Sequence, residues 1–542
     1  MKVLITAALP YANGPLHLGH IRSTYLPADI CARYNRLKGN ETLYICATDE
    51  HGTPIVFNAE KEGKTPKDLV DYYHNKDKRE FEALGFSMDI FYRTSSRENM
   101  QMTQHFFSRL KEKNYIYKKS VEQYYCPKEN RFLPDRYVKG TCPYCGAEDQ
   151  YSDQCESCGR SLKPGEIQGP KCAVCGTQPE IRKTEHYFFA LAKLSKNLEE
   201  WIKNNPEFQE EVKNFVLNWI KEGLRDWDIT RNLEWGVPVP GERGLVFYVW
   251  FDAPIGYVSS TLALTKKWHE FWKNKNTKVI HFIGKDIMYH HYLFWPAMLM
   301  GVDENFNLPD AIPVRGYLNL EEKKFSKSRG WYITLEDYLK IFHQDFLRYY
   351  ETAITPHAPT DASFSLEEFR ERVNNELVAN LANLAFRVLA LIDKKLNGKI
   401  EKMELDEHGK ALIGEIVEES EKIDALFEKY EYKSALEKTM HLSSQINKYI
   451  SEREPWKETD AEKIKRTLYT AINALFYVSI LFEPFVPFTS RKFWKMLRVD
   501  ERSIKWDDIG KRKIENIKLE RVEHLLEKIS DEQMEKMKKL FD

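Results

Sequence analysis

The sequence predicts an α/β protein in two unequal parts: a parallel-sheet domain interrupted by a cysteine-rich insertion, then a bundle of α-helices. Three observations predict it. Short apolar runs bounded by turn residues recur at Val3–Ala8, Thr42–Ala47 and Val279–Gly284, too short for helices and suited to buried parallel strands. Between them lie closely spaced cysteine pairs. After about residue 355 the strand-like runs stop, and Leu377, Leu381, Leu384 and Val388 recur at steps of four, three and four, a helical face.

At 542 residues the chain suggests several domains with ample core. Charged residues make up 30% and nearly cancel, to a net −1, which excludes a globally basic nucleic-acid coat but not a local positive surface. No apolar run is read as a membrane span. The N-terminal apolar stretch is too short for a signal peptide and runs into Pro10 and Asn13-Gly14-Pro15, so it is read as the first strand. Nine cysteines, mostly in C-x-x-C pairs, favour metal over disulfides.

The first strand leads through Asn13-Gly14-Pro15 into His17-Leu18-Gly19-His20, and then into Ile21, Tyr25, Leu26 and Ile30 at helical spacing. Strand, turn and helix N-terminus is where an α/β sheet binds phosphate, because free N–H groups and the positive end of the helix dipole point outward there. Gly19 lets a flat ring lie against the backbone. His17 and His20 can donate to a phosphate whose charge grows in a transition state. A helix merely capped by histidines is the competing structural account. Far along the chain, Lys323-Lys324-Phe325-Ser326-Lys327-Ser328-Arg329-Gly330 is a Lys/Ser-rich loop without apolar period, supplying point charges for phosphate oxygens; alone it reads more often as a solvated surface loop.

In this order the two segments resemble the HIGH and KMSKS signatures of class I aminoacyl-tRNA synthetases. Ala8-Leu9-Pro10-Tyr11-Ala12-Asn13-Gly14, Asp49-Glu50-His51-Gly52-Thr53-Pro54, Tyr248 to Tyr257 and His281 to Asp286 narrow the resemblance to the methionyl-tRNA synthetase family. It runs from Met1 to the region of Trp456. The resemblance implies activation of methionine by ATP to methionyl-adenylate and transfer to the 3′ end of tRNA(Met), with Mg2+ on the phosphates, in the cytoplasm. His17, His20, Lys324 and Lys327 take the catalytic role, and Gly19, Asp286, Lys324, Ser326 and Lys327 contact ATP. Phe325 replaces the methionine of KMSKS, one apolar residue for another.

The remaining elements follow in order. Residues 1–115 form the first half of a Rossmann-like catalytic domain. Asp49 follows the second strand, at the end where ligands gather in open sheets, and the resemblance assigns it to the methionine α-ammonium; a helix-capping Asp is the alternative. Residues 116–230 form the connective-peptide insertion. Cys142, Cys145, Cys155 and Cys158 form C-x2-C-x9-C-x2-C, the pattern of a closed structural zinc site. Cys172 and Cys175 need partners; Cys126 is one, and Glu129 stands where a fourth thiol would be, leaving the count at one or two Zn2+. The tail of the insertion, with Leu198, Trp201, Ile202, Val212, Phe215, Val216 and Trp219, reads as core packing, and Arg225–Arg231 as the return to the catalytic domain.

Residues 231–322 complete that domain, with 244–251 read as a strand. An unbranched, polarizable methionine side chain asks for an aromatic pocket, and the resemblance places Ala8, Leu9, Tyr11, Asp49, Trp250, Ala253, Pro254, Tyr257 and His291 there; plain core is the competing account of each aromatic. Residues 323–355 carry the loop and a linker. Residues 356–510 form a helical anticodon-binding domain, with helices expected over 408–427, 433–453 and 460–484. Asn383, Arg387 and Trp456 match anticodon-reading positions, since unpaired bases are read by hydrogen bonds and stacking. Residues 511–542 read as a helical tail, packed back on the body of a monomer. A synthetase for another apolar amino acid would need a large editing domain that the short insertion has no room for, and a pure binding module has no need of both signatures.

Overall fold

A computed structural model describes every residue except 153, 154, 156, 159, 161, 163, 322, 325–331 and 541–542, and the side chains of 135, 323 and 324. The N-terminal half is built on a parallel sheet of β1 (Lys2–Ala7), β2 (Glu41–Thr48), β3 (Ile90–Arg93), β4 (Thr277–Gly284) and β5 (Val314–Arg315), in the order β5-β4-β1-β2-β3. β1 is central, with Ile5 opposite Ile280 on one side and Tyr44 on the other. Its apolar residues are buried on both faces, as a sheet covered by helices requires. The chain leaves β1 to one side for β2 and β3 and later returns on the other for β4 and β5. The crevice beyond the ends of β1 and β4 is therefore the topological switch point.

The insertion leaves on Ile116–Cys126 and returns on Glu180–Phe189, a long antiparallel ribbon. Its tail gives helices Ser195–Asn204 and Glu210–Glu222. Leu198, Ile202, Val212 and Val216 are buried as expected, but Phe215 is 49% exposed and Trp219 only half-buried. The core reading fails for Phe215, which points to solvent, whereas Trp219 packs against the same core as Val212 and Val216. Segment 244–251 is not a strand throughout: only Val246–Phe247 pair, and Val249–Asp252 coil into a helical turn.

The second half contains α1 (Leu366–Leu396), α2 (Glu407–Glu428), α3 (Tyr432–Arg453) and α4 (Ala461–Phe482), close to the expected spans. Among the described residues α1 is the one helix long and apolar enough to cross a membrane, against the expectation that no segment would qualify. Leu377, Leu381, Leu384 and Val388 on it are buried in the bundle core. The C-terminal tail is helical only over Asp531–Lys538. The stretch before it includes Ile517–Lys518 paired with Lys399–Ile400, and Leu519, Leu525, Leu526 and Ile529 are buried. These apolar contacts are spaced for a chain lying along a groove rather than for a helix face.

The halves meet across buried charge. Asp29 and Arg33 lie on helix Leu26–Leu37, which continues the helix started by Gly19. Asp29 accepts from Arg33 and Arg348, each at 2.7 Å, and Arg33 reaches Glu483 at 2.6 Å. Two arginines hold the Asp29 carboxyl far below its usual range despite burial.

Candidate active site

The cleft at the switch point has a volume of about 710 Å³, and Ala8, Leu9, Tyr11, His20, Asp49, Trp250 and Asp286 line it. The His17 and His20 rings stack at 3.6 Å between centroids, and the His17 backbone N–H donates to His20 Nδ1 at 3.2 Å. A Cβ on Gly19 would lie 3.1 Å from His17 Nδ1, so glycine here is what lets the His17 ring fold over the turn. A Cβ on Gly284 would stand 2.6 Å from Asp286 Oδ1, a second place where a side chain would displace a predicted ligand contact.

The segment 333–335, which follows the lysine loop in the chain, is anchored on this turn. Leu18 N–H donates to Ile333 O at 3.2 Å and Leu335 N–H to Leu16 O at 3.0 Å, while His17 bridges Thr334. Lys323–Lys324 pair with Leu320 and Asn319 on the other side. The Lys324 side chain, Ser326 and Lys327 lie outside the described residues.

Asp49 is fixed by its backbone, with Asp49 N–H donating to Pro10 O at 2.8 Å and Ala12 N–H to Asp49 O at 2.9 Å. Its Oδ1 is buried without a hydrogen-bond partner. Burial, and then the nearby Asp252, push its carboxyl well above the usual range. A carboxylate so placed gains most from a cation brought to it. The neighbours of Asp49 have separate tasks that the sequence did not reveal. Glu50 turns to the back of the sheet, accepting from Thr48 Oγ1 at 2.7 Å and Arg93 Nε at 3.0 Å. His51 Nδ1 pairs with Asp252 Oδ2 at 2.8 Å, and its carbonyl accepts from the Tyr11 hydroxyl at 2.8 Å.

Ala253, Pro254, Tyr257 and His291 do not line the cleft, against the expectation for a pocket wall. Tyr257 and His291 are buried and bonded to each other, Tyr257 Oη to His291 Nε2, at 2.8 Å. Tyr257 also stacks on His281 at 5.0 Å, so its face is already covered. Burial holds His281 near pKa 3 and His290 near 4, and drives His291 well below its usual value. These imidazoles are neutral: His281 Nδ1 lies 2.5 Å from Thr6 Oγ1 and Nε2 accepts from Trp295 at 3.2 Å. Trp227 stacks on Trp250 at 5.1 Å, with Tyr248 6.1 Å from Trp250. Trp227 and Tyr248 line the cleft but were not among the expected pocket residues. The aromatic content of the return segment was the one signal that could have raised them.

Two cysteine groups form in the insertion: Cys142, Cys145, Cys155 and Cys158, and Cys126, Cys172 and Cys175. In the first, Sγ atoms stand 3.9 Å (Cys142–Cys158) and 3.6 Å (Cys145–Cys155) apart. These separations fit the ~3.8 Å edge of a tetrahedron with Zn–S bonds of about 2.3 Å. In the second, Cys126 and Cys175 are 3.5 Å apart. The Glu129 carboxylate does not join that group. Its backbone N–H instead donates to Cys126 Sγ at 3.4 Å, because the tight turn after Cys126 aims the backbone, not the side chain, at the sulfur.

In the bundle, Arg387 lies 5.8 Å from the Trp456 ring and donates to Asn447 Oδ1 at 2.9 Å. Asn383 is exposed one turn earlier on the same helix, and Trp456 is 38% exposed. The three expected residues thus form one surface patch.

A parallel sheet with a double-histidine turn at its switch point, an unpaired carboxylate beside it and a helical bundle behind it define a nucleotide-using α/β enzyme. The family model described as class I tRNA synthetases (M) matches residues 3–389, and that of the anticodon binding domain of methionyl tRNA ligase matches 401–542. The methionine–tRNA ligase of Methanopyrus kandleri is 43% identical over all of this chain and 82% of its own length, and that of Methanocaldococcus jannaschii 43% identical over 99% and 81%. A Mycobacterium tuberculosis methionyl-tRNA synthetase bound by methionyl-adenylate shares the fold, with a TM-score of 0.81 at 24% identity over 97% of this chain and 100% of that one. The chain belongs to the methionyl-tRNA synthetase family of class I.

Proposed function

We propose that the chain joins methionine to tRNA(Met) in two steps, each served by named side chains of the cleft. In the first, the methionine carboxylate attacks the α-phosphate of ATP, forming methionyl-adenylate and releasing pyrophosphate. No side-chain nucleophile is required: the work is alignment and charge stabilisation. The buried, unpartnered Oδ1 of Asp49 carries this reading, because an α-ammonium supplies the opposite charge that the carboxyl lacks. Leu9, Tyr11 and Trp250 wall the methionine side chain, with Ala8, Ala253, Pro254, Tyr257 and His291 behind or beside it. The neutral Tyr257–His291 pair keeps that floor free of net charge, which suits a thioether.

His17 and His20 donate to the phosphates as negative charge develops, with Gly19 giving backbone access and Asp286 meeting the ribose. Lys324, Ser326 and Lys327 supply two cations and a hydroxyl for the phosphate oxygens. Mg2+ carried with ATP neutralises the phosphates. In the second step a ribose hydroxyl of the terminal adenosine of tRNA attacks the adenylate carbonyl, the new ester forms as the acyl–phosphate bond breaks, and AMP leaves, with Asn383, Arg387 and Trp456 reading the anticodon.

The four thiols of Cys142, Cys145, Cys155 and Cys158 hold one structural Zn2+. Cys126, Cys172 and Cys175 offer a second site with three thiols, its fourth ligand being other than the Glu129 carboxylate as now placed. Work on tRNA as a monomer in the cytoplasm accompanies this role. ATP–pyrophosphate exchange with each of the twenty amino acids tests the reading. Exchange with methionine alone is expected. Exchange with leucine, isoleucine or valine instead would overturn the pocket but keep the class I reaction.

A further inference from the structure

Behind the histidine turn, three distant segments of the chain are tied into one knot by side chains that the reaction itself does not use. Arg22 is the first tie. It stands two residues after His20, in the helical segment Ile21–Tyr25, and is buried. All three of its nitrogens donate: Nε to Thr355 Oγ1 at 3.0 Å, Nη1 to the carbonyls of Gly316 at 2.8 Å and Tyr317 at 3.0 Å, and Nη2 to that of Thr360 at 3.4 Å. None of these four acceptors is a carboxylate. Burial, opposed by the charges of Glu351 and Asp361, lowers the Arg22 pKa only to about 10, so the guanidinium stays charged at neutral pH. A buried charge is tolerated only where polar partners surround it. The four acceptors therefore cannot drift apart without stranding it.

Gly316 and Tyr317 lead directly into Leu318–Leu320, the strand that pairs with Lys323–Lys324. Asp361 is the second tie. Its Oδ1 accepts from Tyr317 N–H at 2.8 Å and pairs with Lys285 Nζ at 2.6 Å. Lys285 stands between Gly284, the last residue of β4, and Asp286. The Tyr317 carbonyl also accepts from Ala362 N–H at 3.0 Å, so both of its lone pairs are used. The crossing is close, since a Cβ on Gly316 would run into the Thr360 carbonyl. Neither Arg22 nor Asp361 is among the residues that line the cleft.

We propose that Arg22 and Asp361 are positioning residues for adenylate formation, locking the histidine turn, the Asp286 corner and the hairpin of Lys324 in one register. The inference rests on the methionine-activation reading above. Donors stabilise a developing charge only when they already stand where it appears, and a misplacement of about 1 Å can cost on the order of 10²-fold in rate. His20, Asp286 and Lys324 come from segments far apart in the sequence, and the knot is where those segments meet. Only a planar fork reaches acceptors from several directions at once; a lysine brings its charge to one point. The methionine side chain meets Leu9, Tyr11 and Trp250 instead. Loosening the knot should therefore slow the chemistry without weakening methionine binding.

The test measures, on the full chain, the single-turnover rate of methionyl-adenylate formation and, separately, the dissociation constant for methionine. Arg22→Ala is expected to form adenylate on the order of 10²-fold more slowly, at an unchanged methionine dissociation constant. Guanidinium ion at a low, non-denaturing concentration is expected to restore much of that rate, and methylammonium at the same concentration is not. Arg22→Lys keeps the charge but not the fork and is expected to stay closer to Arg22→Ala than to wild type. Asp361 lies at the surface, so Asp361→Ala loosens the same knot without opening the core; the same signature is expected with a smaller loss. If Arg22→Ala does not fold, Arg22→Lys and Asp361→Ala decide. Wild-type rates of adenylate formation in these two variants would overturn the proposal, as would a loss of methionine affinity that accounts for all of the slowing. Wild-type protein that forms no methionyl-adenylate would overturn the functional reading instead.

Discussion

The cleft and the bundle patch are built on opposite plans. In and behind the cleft most functional residues are held by buried partners, through the backbone or the side chain. Asp49 is framed by Pro10 and Ala12, Tyr11 is tied to His51, His51 to Asp252, and Tyr257 to His291. In the patch, Asn383, Arg387 and Trp456 stand on the outside of the bundle, with Arg387 held chiefly through Asn447. Charge stabilisation at a reacting phosphate depends on donors that cost no reorganisation at the moment of reaction. Reading an unpaired base needs only a ring and a hydrogen-bonding edge presented to solvent. Substitutions should therefore be severe and entangled with folding in the cleft, and mild and separable in the patch.

The largest effect tests the cleft directly. His20→Ala is expected to lower the rate of methionine-dependent pyrophosphate exchange by roughly 10²–10³-fold. A wild-type rate would mean that the histidine pair only shapes the turn.

The next effect probes the backing layer. Burial holds His281 near pKa 3, below the ~6.5 of an unfolded imidazole. Between these values the unfolded chain binds the extra proton, so this residue's contribution to stability is complete above pH 6.5 and falls as pH falls. Between pH 6.5 and 5 wild type should lose about 2 kcal/mol relative to His281→Asn, measured by denaturant unfolding at each pH. Parallel pH profiles for the two proteins would show that His281 does not set the acid limit of the sheet.

The smallest effect sharpens the contrast. Trp456→Ala is expected to reduce tRNA charging about tenfold, as for loss of one stacked base, with exchange at the wild-type rate. Equal loss in both assays would show that the patch is not separable from the cleft.

This difference also explains what could be read from the chain. The strands of the sheet, the long bundle helices and the cysteine pairs are local patterns, and periodicity or spacing exposes them. His17, His20, Asp49 and Asp286 sit at the ends of strands, where a motif and a position agree. The aromatic wall was less legible. Trp227, the Tyr248–Trp250 pair and Tyr289 come from three separate segments, and nothing local distinguishes a ring that lines a cleft from one that fills a core. Tyr257 and His291 came out the other way, expected on the wall and found behind it. Segment 244–251 misled because a run of aromatic and β-branched residues has strand propensity, yet tertiary packing coils half of it into a turn. The tail after 511 misled because charged, leucine-containing sequence reads as helix, whereas pairing with Lys399–Ile400 holds its start extended.

The buried charges joining the two halves bear on how the molecule can be divided. Asp29 and Arg33 belong to the helix that begins at the histidine turn, and Glu483 closes the last long helix of the bundle. A fragment ending before the bundle would strand Arg33 without Glu483. A fragment of the bundle alone would carry Glu483 without its arginine. Arg33 would keep Asp29 but lose Glu483, and either cut would open the charged seam and the apolar surface around it to water. Sheet and bundle are thus not interchangeable modules that evolution or a protein engineer could shuffle by cutting the linker. A working graft would have to carry both sides of the seam, or refill it with matched apolar side chains.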